Sequence, residues 1–180
     1  SDMLYMLFEV EDESPWKNEG KDFRRLFKTG DAVDVQLSPS ANLGHEPRNG
    51  DLRIVIANLD GKPAAILMQP KSAAGPSAEV EYVSPIGTRR FDRVERIDGA
   101  KVAVARRQGR YTVEAGIPLA TIGVAPNGKL TGDLGVIRSD ADGTVNMARA
   151  YWSNKKTNLV NDEPAESWLT PSEWGELKFR

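Results

Sequence analysis

The run Tyr151-Trp152-Ser153-Asn154-Lys155-Lys156-Thr157-Asn158 sets an aromatic pair directly before an amide-rich segment. Trp16 follows Pro15 in a polar turn, where core packing has little claim on an indole. Gln36 and Arg53 occupy the polar positions of two alternating segments, so both are expected on solvated strand faces. Flat aromatic faces combined with planar amide and guanidinium groups suit a ligand that has apolar faces and hydroxyls. The plain alternative for Arg53 is an ion pair with Asp34 or Glu9 on an exposed sheet, which contributes about 0–1 kcal/mol.

A second chemistry is offered by oxygen donors. Asp140-Ala141-Asp142-Gly143 supplies alternating carboxylates and a turn glycine, and Glu11-Asp12-Glu13 and Asn161-Asp162-Glu163 are further clusters. Calcium is the metal such groups would hold, with Asp140 and Asp142 as candidate ligands. The remaining ligands of an EF-hand are missing, and Asp-Gly in a hairpin needs no ion to explain it.

Other chemistries are removed by composition. The 180 residues include no cysteine, which excludes disulfides, thiolate nucleophiles and Cys-ligated metals. One histidine, His45, rules out zinc sites built from several imidazoles and would have to serve any Ser–His–Asp triad. Haem needs two axial ligands drawn from Met, His or Lys; His45 with Met68 or Met147 formally qualifies, but nothing in the sequence fixes His45 opposite either. A glycosidase needs two carboxylates about 5–10 Å apart, a separation that sequence spacing does not show. With 24 basic and 26 acidic residues there is no basic excess for nucleic acid, and no apolar run is long enough for a membrane span.

The elements that must carry these residues are strands. Leu4, Met6, Phe8 and Val10 alternate with Tyr5, Leu7 and Glu9; Val33, Val35 and Leu37 alternate with Asp34 and Gln36; Leu52, Ile54 and Ile56 alternate with Arg53 and Val55. Tyr111, Val113, Ala115 and Ile117 continue the pattern, as do Leu134 with Val136 and Leu177 with Phe179. Asn49-Gly50, Asp60-Gly61, Asp98-Gly99, Gln108-Gly109, Asn127-Gly128 and Asp142-Gly143 punctuate the runs. The expected fold is all-β, a two-sheet antiparallel β-sandwich of jelly-roll or immunoglobulin-like type, with one or two very short helices. Helical turns are expected at Asp22–Lys28, at Pro118–Ile122 and after the capping box Thr170-Pro171-Ser172-Glu173. With no linker or repeat, residues 1–180 read as one domain. Ser1-Asp2-Met3 runs straight into Leu4-Tyr5-Met6-Leu7-Phe8 without a signal-peptide pattern, so the chain reads as a piece excised from a larger protein.

Four phrases together carry a resemblance. Leu4-Tyr5 with Phe8-Glu9-Val10-Glu11-Asp12-Glu13-Ser14-Pro15 resembles the opening strand and turn of family 9 carbohydrate-binding modules. Gly30-Asp31-Ala32-Val33-Asp34-Val35, Tyr111-Thr112-Val113-Glu114-Ala115-Gly116-Ile117-Pro118 and Trp174-Gly175-Glu176-Leu177-Lys178-Phe179 are similar to their later strands, in the same order. The wider group includes haem-binding DOMON domains.

The resemblance implies a non-catalytic sandwich on a secreted or periplasmic protein that handles polysaccharide, with carbohydrate as partner, no organic cofactor and often structural calcium. It also implies a sugar clamped between two tryptophans, best matched here by Trp16 and Trp152, and an arginine on a comparable strand, matched by Arg53. Gln36, Asn154 and Asn158 then become hydrogen-bonding groups for the hydroxyls. Relatives place one or two strands before the opening one, so a trimmed sheet edge is expected here. An uncovered edge would invite pairing with a second copy as a homodimer. The rival reading is a structural or assembly sandwich without a sugar site.

Overall fold

A computed structural model describes residues 2–14, 16–39, 44–123, 130–157 and 161–178. The strands run β1 (Met3–Glu11), β2 (Ala32–Ser38), β3 (Leu52–Leu59), β4 (Lys62–Gln69), β5 (Val80–Val83) and β6 (Thr88–Phe91). They continue with β7 (Arg93–Arg96), β8 (Lys101–Arg107), β9 (Arg110–Pro118), β10 (Leu130–Ser139), β11 (Asn146–Tyr151) and β12 (Gly175–Leu177). A short sheet has the order β1-β9-β8. The large sheet has the order β11-β10-β2-β3-β4-β7, with β12 also paired to β10, and β5 and β6 form a separate hairpin. All these strand pairings are antiparallel.

The all-β sandwich expected from alternation is present. Between the sheets Val33, Val35, Ile54, Ile56 and Leu67 meet Leu4, Val10, Tyr111, Val113 and Ile117. Apolar side chains at every second position make this face, because successive side chains of a strand point to opposite sides.

The second face of the large sheet differs from expectation. It carries its own core, in which Leu26, Phe27, Val55, Ile66, Met68, Tyr82, Phe91, Leu169 and Trp174 pack together. The cover comes from the β5–β6 hairpin, from α1 (Leu26–Thr29) and from α3 (Glu163–Ser167), while α2 (Leu119–Ile122) follows β9. Central strands are therefore buried on both sides, and every residue of β2 is buried. Solvated positions for Gln36 and Arg53 are thus corrected: three layers, not two, enclose this sheet.

Local chemistry explains the short helices. Asp22 caps the 3-10 turn Phe23–Arg25 by accepting from Arg24 N, and the turn leads into α1. α2 fills the expected place after Pro118. Thr170 makes no side-chain cap, and the capping-box segment closes as the 3-10 turn Pro171–Glu173. α3 was not expected. Its signal is Asp162, which accepts from Ala165 N at 3.0 Å, with Pro164 at the second helical position. Asn127-Gly128 and Phe179 lie outside the described residues. β1 borders the short sheet and leaves Tyr5 and Leu7 exposed on its outer face. Among the described residues no helix is long and apolar enough to cross a membrane.

Candidate functional site

Trp152 follows β11 and stands 51% exposed, more open than Trp16 (1%) or Trp174 (7%). Its backbone is fixed, since Trp152 N donates to Leu134 O at 2.8 Å on β10. The next two residues are held by Asp133, whose carboxylate accepts from Ser153 N at 2.7 Å and Asn154 N at 2.8 Å. Leu134 N adds a third bond at 2.9 Å. Burial raises the Asp133 carboxyl above its ordinary range, against the lowering effect of these donors.

The indole itself lies against Gly175 of β12. A Cβ at that position would come within 2.6 Å of two Trp152 ring carbons, so the close approach requires glycine. Ser153 Oγ donates to Glu173 O at 2.8 Å, fastening the loop to the chain that carries Gly175. In the loop that follows, Asn154 Oδ1 accepts from Lys156 N at 2.9 Å, and Lys156 pairs with Glu173 at 2.7 Å. Lys155 Nζ donates to Tyr151 O at 2.8 Å. The loop that carries the indole is thus fastened to β10 and to the segment leading into β12.

Trp16 is elsewhere and faces inward. Its ring packs on Tyr111 with centroids 5.1 Å apart, and its Nε1 donates to Asn58 Oδ1 at 2.9 Å while Asn58 Nδ2 returns a bond to Trp16 O. The solvent-facing position expected for Trp16 is corrected by this packing. Its loop attaches near Ser139, whereas Trp152 attaches at Leu134; five residues of strand separate the two points, about 17 Å. The two indoles do not face each other.

Arg53 is wholly buried beneath α3. Its Nε donates to Asp34 Oδ2 at 2.8 Å, and its Nη1 donates to Glu166 O and Ser167 O at 2.8 and 3.2 Å. Tyr151 OH also donates to Asp34. Burial opposes the Arg53 charge, and neighbouring Asp34 more than offsets it, so the guanidinium stays protonated. The Tyr151 phenol is pushed up to about 12 by burial and by Asp34. Gln36 is covered too, its Oε1 accepting from Trp174 Nε1 at 3.0 Å. The pairing of Arg53 with Asp34 therefore exists, but in the interior rather than on a solvated sheet.

Asn154 alone among the expected polar partners joins Trp152, and Asn158 lies outside the described residues. At the expected metal loop, Asp140 accepts from Thr144 N (2.8 Å), Val145 N (3.1 Å) and Thr144 Oγ1 (3.1 Å). Those donors, Thr144 N first, hold its carboxyl below the ordinary range. Asp142 is exposed, so the segment is closed by its own hydrogen bonds. Met68 is packed in the core, while Met147 and His45 are exposed. Sequence reasoning missed Asp133 and Gly175 as supports of Trp152, although the Trp174-Gly175 pair was the available sign.

The chain is thus an antiparallel sandwich with a half-exposed indole fixed at its surface. A family model described as carbohydrate family 9 binding domain-like matches residues 1–180, and the chain belongs to that family. Comparison with curated proteins and with solved structures returned no match.

Proposed function

We propose that the domain is a non-catalytic carbohydrate-binding module carried on a secreted or periplasmic protein, with Trp152 as its platform. The observation that carries this reading is the half-exposed indole seated against Gly175, an aromatic face that can stack on a sugar, in a chain of this family. A pyranose C–H face would stack on the ring, and Asn154, Lys156 and Glu173 would meet its hydroxyls. The open half of an indole is about 100 Å² and its burial contributes about 2.5 kcal/mol at most. Stacking alone therefore falls short of the roughly 4 kcal/mol of a millimolar complex, and a few directed hydrogen bonds must supply the rest. Binding weaker than micromolar is expected.

The burial of Trp16, Gln36 and Arg53 favours a second reading, a structural sandwich without a sugar site. Tryptophan fluorescence titrated with glucose, xylose, galactose, mannose, uronic acids and their oligosaccharides separates the two. A saturable shift that disappears in Trp152→Ala, with circular dichroism unchanged, supports the platform. A flat response across the panel supports the structural domain.

A further inference from the structure

The two sheets differ in width, and the difference leaves a strip of the large sheet open on its inner face. β8 packs over β4, so β1, at the other border of the short sheet, falls on the β10 side and β11 extends beyond it. The β10–β11 ladder sets Ala150 opposite Val136 and Ala148 opposite Arg138, and Trp152 continues it opposite Leu134 through the bond to Leu134 O. Leu134 and Val136 pack on the core between the sheets, so the side chains of Ala148, Ala150 and Trp152 share that inner face. Gly175, against the indole, lies opposite Gly132 in the next row. Ala150 and Trp152 are exposed, and Leu134, Val136 and Ala148 are only half-buried.

The open edge of β1 borders this strip. At the two ends of the strand, Asp2 O accepts from Leu119 N and Asp12 N donates to Gly109 O, both on the β9 side. Alternation along the unbroken β1–β9 ladder then turns the backbone N–H and C=O of Tyr5, Leu7 and Glu9 the other way, toward the open side. The strip thus has a floor of small and aliphatic side chains, an indole on the same face and a border of backbone donors and acceptors. Arg138, opposite Ala148, is the one charged side chain in these rows.

We propose that the strip is a trough for a linear, neutral glycan that runs along β11 onto the Trp152 ring, so that the module takes several consecutive units of a polysaccharide rather than one sugar. The inference rests on Trp152 as the sugar platform and extends it. Ala150 is the next side chain to Trp152 on this face, so the floor is continuous with the indole. From Ala148 to Trp152 the strand rises about 13 Å, more than the length of one pyranose ring. Apolar C–H faces suit the alanines and the indole, and hydroxyls, which donate and accept, suit the edge of β1. The scarcity of charge favours a neutral chain over an acidic one. A second copy of the chain pairing with β1 would use the same backbone groups, and the test separates the two occupants.

The test titrates the whole chain by calorimetry with cello-, xylo- and manno-oligosaccharides, from monosaccharide to hexasaccharide. For the glycan that binds, affinity is expected to rise about tenfold from the disaccharide to the pentasaccharide and then level off, the gain from a few added hydrogen bonds and apolar contacts. Ala150→Arg puts a long charged side chain on the floor and should bring the pentasaccharide down to the affinity of the disaccharide. Ala105→Arg, at an exposed position of β8, should leave the whole series unchanged. Circular dichroism checks that both variants fold, and the wild-type series alone decides if Ala150→Arg does not. Equal affinity at every length, still dependent on Trp152, overturns the trough and leaves the platform. Absence of binding by any member of the series overturns both. A length gain that survives Ala150→Arg overturns the trough too. So does a wild-type dimer in sedimentation equilibrium that Ala150→Arg dissociates, which would assign the strip to a second copy.

Discussion

Two buried acidic clusters lie in different layers of this molecule, and they are neutralised differently. Under α3, Asp34 is paired with Arg53, and Glu166 with Lys28 at 3.0 Å. Between the sheets, Asp12 and Asp31 have polar donors but no ion pair among the described residues. Orphaned atoms alone do not distinguish the two, because Asp34 Oδ1 and Glu166 Oε2 are without partners just as Asp12 Oδ2 is. Charge does: one cluster is neutralised by its own cations, and the other holds two carboxylates with no ion-pair partner among the described residues. Asp133 shows a third solution, an isolated carboxylate held by three backbone N–H groups.

The largest expected effect tests the self-neutralised cluster. Arg53→Met removes the cation and strands Asp34, with a cost of about 3–5 kcal/mol measurable by urea unfolding. Adding Asp34→Leu to that variant should recover much of the loss, because an apolar pair replaces a buried ion pair at little cost. Asp12→Asn should change the stability of the wild type and of Arg53→Met by similar amounts in urea unfolding, since the clusters share no partner. An effect confined to one background would break the comparison.

A smaller effect is expected at Asp133. Asp133→Asn has one acceptor oxygen for three N–H donors, so stability should fall by about 1–2 kcal/mol. The Trp152 loop should loosen with it, and saccharide-induced fluorescence should weaken while the overall fold persists. Unchanged titration in this variant would show that the platform is held by Gly175 and Leu134 alone.

The smallest effect concerns a partly exposed carboxylate. Arg24 holds the Asp22 carboxyl down from 3.8 to about 2, against some opposition from burial. A folded-state value below the unfolded one means that the stabilisation is present in full above about pH 4 and is lost as pH falls toward 2. Acid titration of Asp22→Asn should therefore converge with the wild type below that window and fall under it above. Equal stability at neutral pH would show that the Asp22 contacts are screened away.

The sequence by itself determined strands β1, β2, β3, β9, β10 and β12, most of the turns and the sandwich class, because period-two alternation and Asp-Gly hairpins act within a few residues. Asp60-Gly61 sits in the β3–β4 connection with φ of 51° and 77°, the left-handed backbone such hairpins need. The sequence also marked Trp152, along with Trp16, as an exposed indole, since polar loop residues leave an indole little to pack on, and Trp152 is exposed. It could not show that Arg53, Asp34 and Gln36 are interior. Their alternation is the pattern of a solvated face, and the groups that cover them, Glu166, Ser167 and Trp174, follow them by more than 100 residues. Trp16 misled for the same reason: its neighbours in sequence are polar, but its neighbours in space are Tyr111 and Asn58. Local patterns set which way a side chain leaves its strand. Only the tertiary structure decides whether water or another layer waits there, because that depends on contacts between segments far apart in the chain.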